Sequence, residues 1–494
     1  MTTATSSTPV HPSIQPLGHQ LAASPSIDAA IRAIVDEVRA KSVQITDARP
    51  ANPGLKESYE GLMARAAAVR GRPLLYPYIG SGLGNGALVE LADGSVKWDL
   101  ISGIGVNFFG HSDPELMHAA LRASLADTVK QGNLQANFEP HAFSETLLAE
   151  AAKGSKLKHA YLTTSGVMAN ENALKVCMQK HHPASRVLAF RDCFMGRSLM
   201  MASIGDSHEG RVGLPIVADV DYMPFYDEAA AARTSPAAVT AAAVSRLEEY
   251  IHRYPGQHAC FIFELTQGEG GFNVGRRDFF RALMEVCKAH KIAVWDDEIQ
   301  TFGRLPRMFA YEYYGVGDLV DVFCVGKMTQ VCATLYTEEY NPKPGLLSGT
   351  FLGEAVSFEV GRRVIERLRD GDYYDRVDDK GNVVQPGRIA RHHAAFVAQV
   401  KALAARHPEW FPAVPEIPDV VGGVGGMMRF TPFGGRKDKI QAACKAIFEA
   451  GVVLFYCGHG PYHLRVLPPL GVMNEQDWPR VFACIEQGLA KVPN

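Results

Sequence analysis

Between about residues 115 and 330, short apolar runs alternate with amphipathic helical stretches, and this alternation limits the possible folds more than any other feature of the chain. The runs "KHAYLTT" (158–164), "RVLAF" (186–190), "CFIFEL" (260–265), "IAVWD" (292–296) and "VDVFCVG" (320–326) are each bounded by turn or polar residues, as buried strands are. Between them lie "ANENALKVCMQKH" and "RRDFFRALMEVCKAH", apolar at i, i+3, i+4 spacing. Strand, helix, strand in that order predicts an α/β fold with a parallel sheet and crossover helices. At 494 residues the chain exceeds what one core serves, so a second lobe is expected. Past about residue 360, "SFEVGRRVIERLR", a polar stretch, a long helix reaching Arg406 and a strand-rich end with "GGMMRF" and "YHLRVLPPL" read as that smaller lobe.

Several function classes are disfavoured early. A net charge of -3 with both signs interspersed leaves no electrostatic footprint for nucleic acid or an acidic membrane, and neither partner is predicted. The 9 cysteines are scattered without CxxC or Cys/His ligand spacing, so no metal site is expected and buried free thiols in a reducing compartment are. Residues 1 to about 25 are Ser/Thr/Pro-rich, with no basic-then-apolar leader, and no apolar run reaches spanning length; a cytoplasmic location is expected. "SIDAAIRAIVDEVRA" then has helical spacing, and "GALVELADGSVKWDLISG" reads as a hairpin around Asp93-Gly94. The preceding "GSGLGNG" (80–86) is expected to be a turn, because a phosphate loop needs a strand before it and a helix after it.

Ligands of parallel α/β sheets bind at the carboxyl ends of strands, and the unusual residues of this chain fall there. "YLTT" leads into Ser165, Gly166 and Val167 and then a helix start, which offers backbone N–H groups to an anion. "IAVW" leads into Asp296, Asp297 and Glu298, and "VDVFCV" into Gly326 and Lys327. Taken singly, Lys327 reads as a snorkelling surface lysine, Asp297 as a turn residue and Ser165 as a helix cap. Taken together they match pyridoxal 5'-phosphate. Its aldehyde needs an amine such as Lys327, its ring nitrogen needs a fixed anion such as Asp297, and its phosphate needs N–H donors.

In these residues the chain resembles class III aminotransferases, a subgroup of the fold-type-I pyridoxal phosphate enzymes. "DLISGIGVNFFGHSDPEL" is similar to the family's early glycine-rich segment, "TTSGVMANENALK" to its phosphate turn, "CFMGRS" to its ring-stacking segment, and "ELTQGEGG" to its mid-sheet loop. "DDEIQTFGR" is similar to its aspartate signature, "VGKMTQVCA" to its Schiff-base strand, and "HLRVLPPL" to its carboxylate-binding segment. The resemblance implies an aspartate-aminotransferase-like large domain with a mostly parallel seven-stranded sheet, spanning residues 115–360. It also implies a smaller α+β domain at 361–494 and an N-terminal arm and small-domain segment at 1–114. It implies Lys327 as Schiff-base lysine and proton shuttle, Asp297 as pyridinium partner and Phe194 as stacking ring. Gln300 would lie near the ring hydroxyl, Ser165, Gly166 and Val167 at the phosphate, and Thr350 of "SGTF" would reach that phosphate across a homodimer interface. Arg465 would clamp a substrate carboxylate, with Glu269 as its gate. Met168, Met195, the missing Pro after Glu264, the shortened "QTFGR" and Glu354 depart from the family pattern, and they bear on the substrate pocket.

"GKMTQVCA" and Glu269 are most similar to lysine ε-aminotransferases. The expected reaction is a ping-pong transfer of an amino group from an ω-amino or diamino acid (lysine, ornithine or 4-aminobutyrate type) to 2-oxoglutarate or pyruvate. Rival readings are an aminomutase, racemase or decarboxylase on the same scaffold, and a non-catalytic or nucleotide-binding α/β protein.

Overall fold

The computed structural model describes residues 16–127 and 130–493. Of the Ser/Thr/Pro-rich arm, residues 1–15 lie outside the described residues, and Leu17–Ala22 is a short helix. Strands β1 (Gly80–Asn85), β2 (Leu88–Leu91) and β3 (Val96–Asp99) form an antiparallel meander. The "GSGLGNG" run is therefore not the turn its glycines predict: it is β1, paired with β2. Glycine there serves close approach, since a Cβ on Gly84 would fall 2.4 Å from His111 Cβ and 2.5 Å from Leu88 O.

The expected seven-stranded sheet follows. Its strands are β4 (Leu157–Thr163), β5 (Arg186–Phe190), β6 (Val220–Met223), β7 (His258–Phe263), β8 (Ala293–Asp297), β9 (Val322–Val325) and β10 (Cys332–Thr337). The order is β4-β10-β9-β8-β7-β5-β6, with β10 antiparallel to both its neighbours and every other adjacent pair parallel. Because side chains alternate, each central strand feeds two cores. Val187, Ala189, Cys260, Ile262 and Trp295 pack with Ala169, Ala173 and Cys177 of helix Gly166–Lys180. Leu188, Phe190, Phe261, Phe263 and Val294 face the other way, against Phe279, Phe280 and Leu283 of helix Arg277–Ala289. Rings Phe190, Phe261 and Phe263 lie within 5.5 Å of one another, centroid to centroid. Truncating one such ring to Ala costs about 3–5 kcal/mol.

The polar stretch after residue 375 folds into a hairpin of β11 (Arg376–Val377) and β12 (Val383–Gln385). Next come β13 (Val421–Val424), β14 (Met427–Phe430), β15 (Val452–Val453), β16 (Phe455–Cys457) and β17 (His463–Val466). An antiparallel sheet β13-β14-β17-β16 carries Arg465 on its third strand, while β15 joins β3 in parallel and ties the N-terminal meander to the C-terminal part. The helices expected from spacing are Pro25–Ser42, Ala355–Asp370 and Arg388–Arg406. All nine cysteines are free, and among the described residues no helix is long and apolar enough to cross a membrane.

Candidate active site

The carboxyl ends of β4, β5, β7, β8 and β9 converge on a cavity of about 280 Å³. Gly166 and Val167 enter it after β4, Phe194 after β5, Glu264 and Glu269 after β7, Asp297 and Gln300 after β8, and Lys327 after β9. Its size sits at the lower end of small-molecule pockets. Ser165 is in extended conformation and its side chain does not cap the following helix, so the amides at that helix start remain available to an anion. Gly196, at φ 121°, lets the Phe194 segment pack on this turn: a Cβ there would lie 2.5 Å from Val167 Cγ2.

Of the three consecutive acids, only Asp297 lines the cavity. Its Oδ1 accepts from the Ile299 amide at 3.0 Å and its Oδ2 from Asn170 Nδ2 at 2.8 Å. Burial pushes its carboxyl above the ordinary range, while those two donors and the Lys327 charge act in the opposite sense. Asp296 is fully buried, and burial together with the neighbouring Glu298 drives its carboxyl far above the ordinary range. Glu298 accepts from the Tyr311 amide at 2.9 Å and holds the next helix in place.

Lys327 is half-buried, with a left-handed backbone at φ 54°. Such a conformation costs on the order of 1–3 kcal/mol in a non-glycine residue and concentrates at functional sites. Burial lowers the pKa of its amine, Asp297 and Glu269 oppose that shift, and Arg465 adds to it. A buried carboxylate and a destabilised ammonium thus share one small cavity. Gln300 Oε1 is buried in the same place without a hydrogen-bond partner among the described residues.

At the substrate end, Arg465 is fully buried and its Nη2 donates to Glu269 Oε1 at 2.8 Å. Its Nε and Nη1 have no acceptor among the described residues, so the guanidinium keeps donors for a further carboxylate. Of the residues expected from sequence, Gly166, Val167, Phe194, Glu269, Asp297, Gln300 and Lys327 line the cavity, with Ser165 and Arg465 immediately behind it. Thr350 is not brought in: it is exposed, and its carbonyl packs against Gly132.

Three residues that the sequence reading passed over belong to the site. Asn170 bridges Asp297 and the Met195 carbonyl, at 2.8 and 2.9 Å; its place one helical turn into the segment after Ser165 is the signal that marks it. Glu264 accepts the Phe194 amide at 3.0 Å and the Gly268 amide at 3.2 Å, clasping two cavity loops, and burial with the Asp297 charge pushes it up to about 8. Arg197 lines the cavity with its guanidinium 5.2 Å from the Phe194 ring centroid.

The residues present fit pyridoxal 5'-phosphate: an amine of lowered basicity, a held carboxylate, an uncapped helix start and an unpartnered amide oxygen around one cavity. Fold and site together define a pyridoxal-phosphate enzyme of fold type I. The sequence pattern of class-III aminotransferases matches residues 77–481, and the chain belongs to that family. It is a pyridoxal 5'-phosphate-dependent aminotransferase acting on small amino and oxo acids. It is 28% identical to a 4-aminobutyrate aminotransferase of Mycobacterium tuberculosis over 440 residues, 83% of this chain and 91% of the relative. A diaminobutyrate--2-oxoglutarate transaminase of Wolinella succinogenes is 26% identical over 417 residues, 82% of this chain and 90% of the relative. Among solved structures, a lysine aminotransferase from M. tuberculosis superposes with TM-score 0.72 at 23% identity, covering 87% of this chain and all of that one (100%), a likeness of fold.

Proposed function

We propose that the enzyme moves the distal amino group of an ω-amino or diamino acid to 2-oxoglutarate. The observation that carries this reading is the 2.8 Å ion pair between buried Arg465 and Glu269. With Glu269 in place the arginine's charge is answered, which suits a donor presenting an amine; with Glu269 turned away, the same fork takes the carboxylate of a 2-oxo acid. The curated relatives that act on 4-aminobutyrate and diaminobutyrate support the same donor class.

When bound, pyridoxal 5'-phosphate supplies an aldehyde that captures the amine and a ring that draws electrons from the substrate carbon. Lys327 Nζ would be the amine that holds the group and, once a donor amine has freed it, the base that moves a proton at the substrate carbon. Burial favours the neutral amine that this transfer needs. Asp297 would keep the ring nitrogen protonated, and Asn170 and the Ile299 amide keep Asp297 oriented. Phe194 would cover a ring face, Gln300 would lie near the ring hydroxyl, and Ser165, Gly166 and Val167 would hold the phosphate.

We further read the active unit as a homodimer with shared sites. Thr350, exposed beside Gly132 and not among the residues that line its own cavity, would then serve its partner's phosphate. Residues 115–360 would form the cofactor domain, 361–494 the small domain, and 1–114 an arm and a segment of the small domain, a division supported by the pairing of β3 with β15. Nine free thiols suit a reducing, cytoplasmic setting.

The test is a panel of amine donors with the holoenzyme, following cofactor absorbance first without an acceptor and then with 2-oxoglutarate. Lysine, ornithine or 4-aminobutyrate should drive one half-reaction that halts until 2-oxoglutarate is added. Silence from all three, with response to simple α-amino acids, refutes the donor class; sustained turnover without acceptor refutes transamination of that donor.

A further inference from the structure

The 264–274 loop also walls a second, larger cavity of about 1030 Å³, which holds Gln267 and Asn273 from that loop and Arg429 and His463 from the C-terminal sheet. Neither Lys327 nor Asp297 lines it, and the transamination chemistry leaves it without a task.

Arg429 is its unusual resident. It is 5% exposed and lies directly across from Arg465 in the β14/β17 ladder. Arg465 has Glu269; among the described residues, Arg429 has no carboxylate within ion-pair distance. Among the described residues its Nε is buried without an acceptor, and Nη1 makes only long contacts, 3.4 Å to Thr431 Oγ1 and 3.5 Å to His463 Nδ1. His463 answers no charge, because burial and the adjacent Arg429 keep its ring neutral. Burial lowers the basicity of the Arg429 guanidinium, and Cys457, Glu228 and Asp419 oppose that shift through space.

The backbone clears a seat for this side chain. Gly422 is the partner of Arg429 across β13/β14, and a Cβ at Gly422 would fall 2.7 Å from the guanidinium Cζ and 2.8 Å from Nη2. The fork therefore lies flat over strand β13 at the cavity wall. A desolvated guanidinium without a counter-charge is costly, and its planar donors match a carboxylate in two-point contact. Glu228 lines the same cavity, together with other charged residues that include Arg191, Asp192, Arg233 and Asp419; it is in no ion pair among the described residues and acts on the Arg429 guanidinium through space.

We propose that this cavity is a second small-molecule site that takes an amino acid, its carboxylate on the Arg429 fork and its ammonium toward Glu228. Occupant and site are then charge-matched at both ends, which neither a simple anion nor a simple amine achieves. The site stands whether or not the donor class argued above is right, since it shares no residue with the catalytic cavity.

Calorimetric titration of the holoenzyme with N,N-dimethylglycine tests it, because a tertiary amine cannot condense with the cofactor aldehyde. Binding should persist within about twofold in Arg465→Gln and weaken by about tenfold or more in Arg429→Gln. Gly422→Ala keeps the charge but displaces the fork, so it should weaken binding as well, and it carries the test if Arg429→Gln does not fold. Acetate, which lacks the amine, should bind about tenfold less tightly. No binding by the wild type, equal affinity for acetate, or binding lost in Arg465→Gln and kept in both Arg429→Gln and Gly422→Ala each overturns the proposal.

Discussion

Asn170→Ala isolates the electrostatics on which this active site depends. The amide of Asn170 is buried, donates to Asp297 Oδ2 at 2.8 Å and is itself fixed by the Met195 carbonyl at 2.9 Å. Its removal leaves Asp297 with one protein donor, the Ile299 amide at 3.0 Å on the other oxygen. A hydrogen bond to an ionised group is worth about 1.5–3 kcal/mol, and each pKa unit corresponds to about 1.4 kcal/mol. The Asp297 pKa, already raised by burial, should therefore rise further. The sign follows directly: a higher carboxyl pKa means that the carboxylate is lost at higher pH, so the acid limb of the half-reaction rate moves upward. At neutral pH the variant should turn over about 10- to 100-fold more slowly and hold its cofactor correspondingly less tightly. The assay is the pH profile of the single half-reaction, followed by cofactor absorbance, with thermal unfolding as a check on the fold. A folded variant with an unmoved acid limb and a rate within about twofold of wild type would refute the argument that Asn170 holds Asp297 ionised.

Glu269→Ala should unpair buried Arg465, lower stability by about 1–3 kcal/mol, and shift half-reaction selectivity by about tenfold toward glutamate over distal-amine donors; unchanged selectivity counts against a gating role. Glu264 is pushed up to about 8 in the folded protein, so the native state binds a proton that the unfolded chain has already released. Its contribution is fully present below the ordinary carboxylate range and is lost as pH rises toward 8. The urea midpoint of cofactor-free protein should accordingly fall between pH 5 and 8, and Glu264→Gln should flatten that slope; a parallel slope in the variant would show that other groups set it. Lys327→Ala should leave a folded protein without borohydride-reducible attachment of the cofactor and with turnover reduced at least about a thousandfold; near-native turnover would remove Lys327 from the chemistry.

Much of the site was legible because parallel strands deliver their next residues to one edge. Five strands could be read from apolar runs, and the residues following them, Gly166, Phe194, Glu269, Asp297 and Lys327, are those the cavity gathers. The strands not anticipated have physical excuses. β6 is a short edge strand with mixed burial, and β10 follows Lys327 through one tight turn, leaving no room for the crossover helix that marks a parallel neighbour. β1 was hidden by its own glycines, which signal turns in isolation but here admit His111 against the strand.

What the sequence determined alone is the alternation of elements, the residues stationed at strand ends, and through them the family and cofactor, since period and order are local properties of the chain. Tertiary structure alone decided which of three consecutive acids faces the cavity, that Asn170 holds it, and that Arg465 has a carboxylate while its cross-strand neighbour Arg429 has none among the described residues. Those outcomes depend on contacts between segments as much as 196 residues apart, and burial and charge pairing are fixed only when such segments meet.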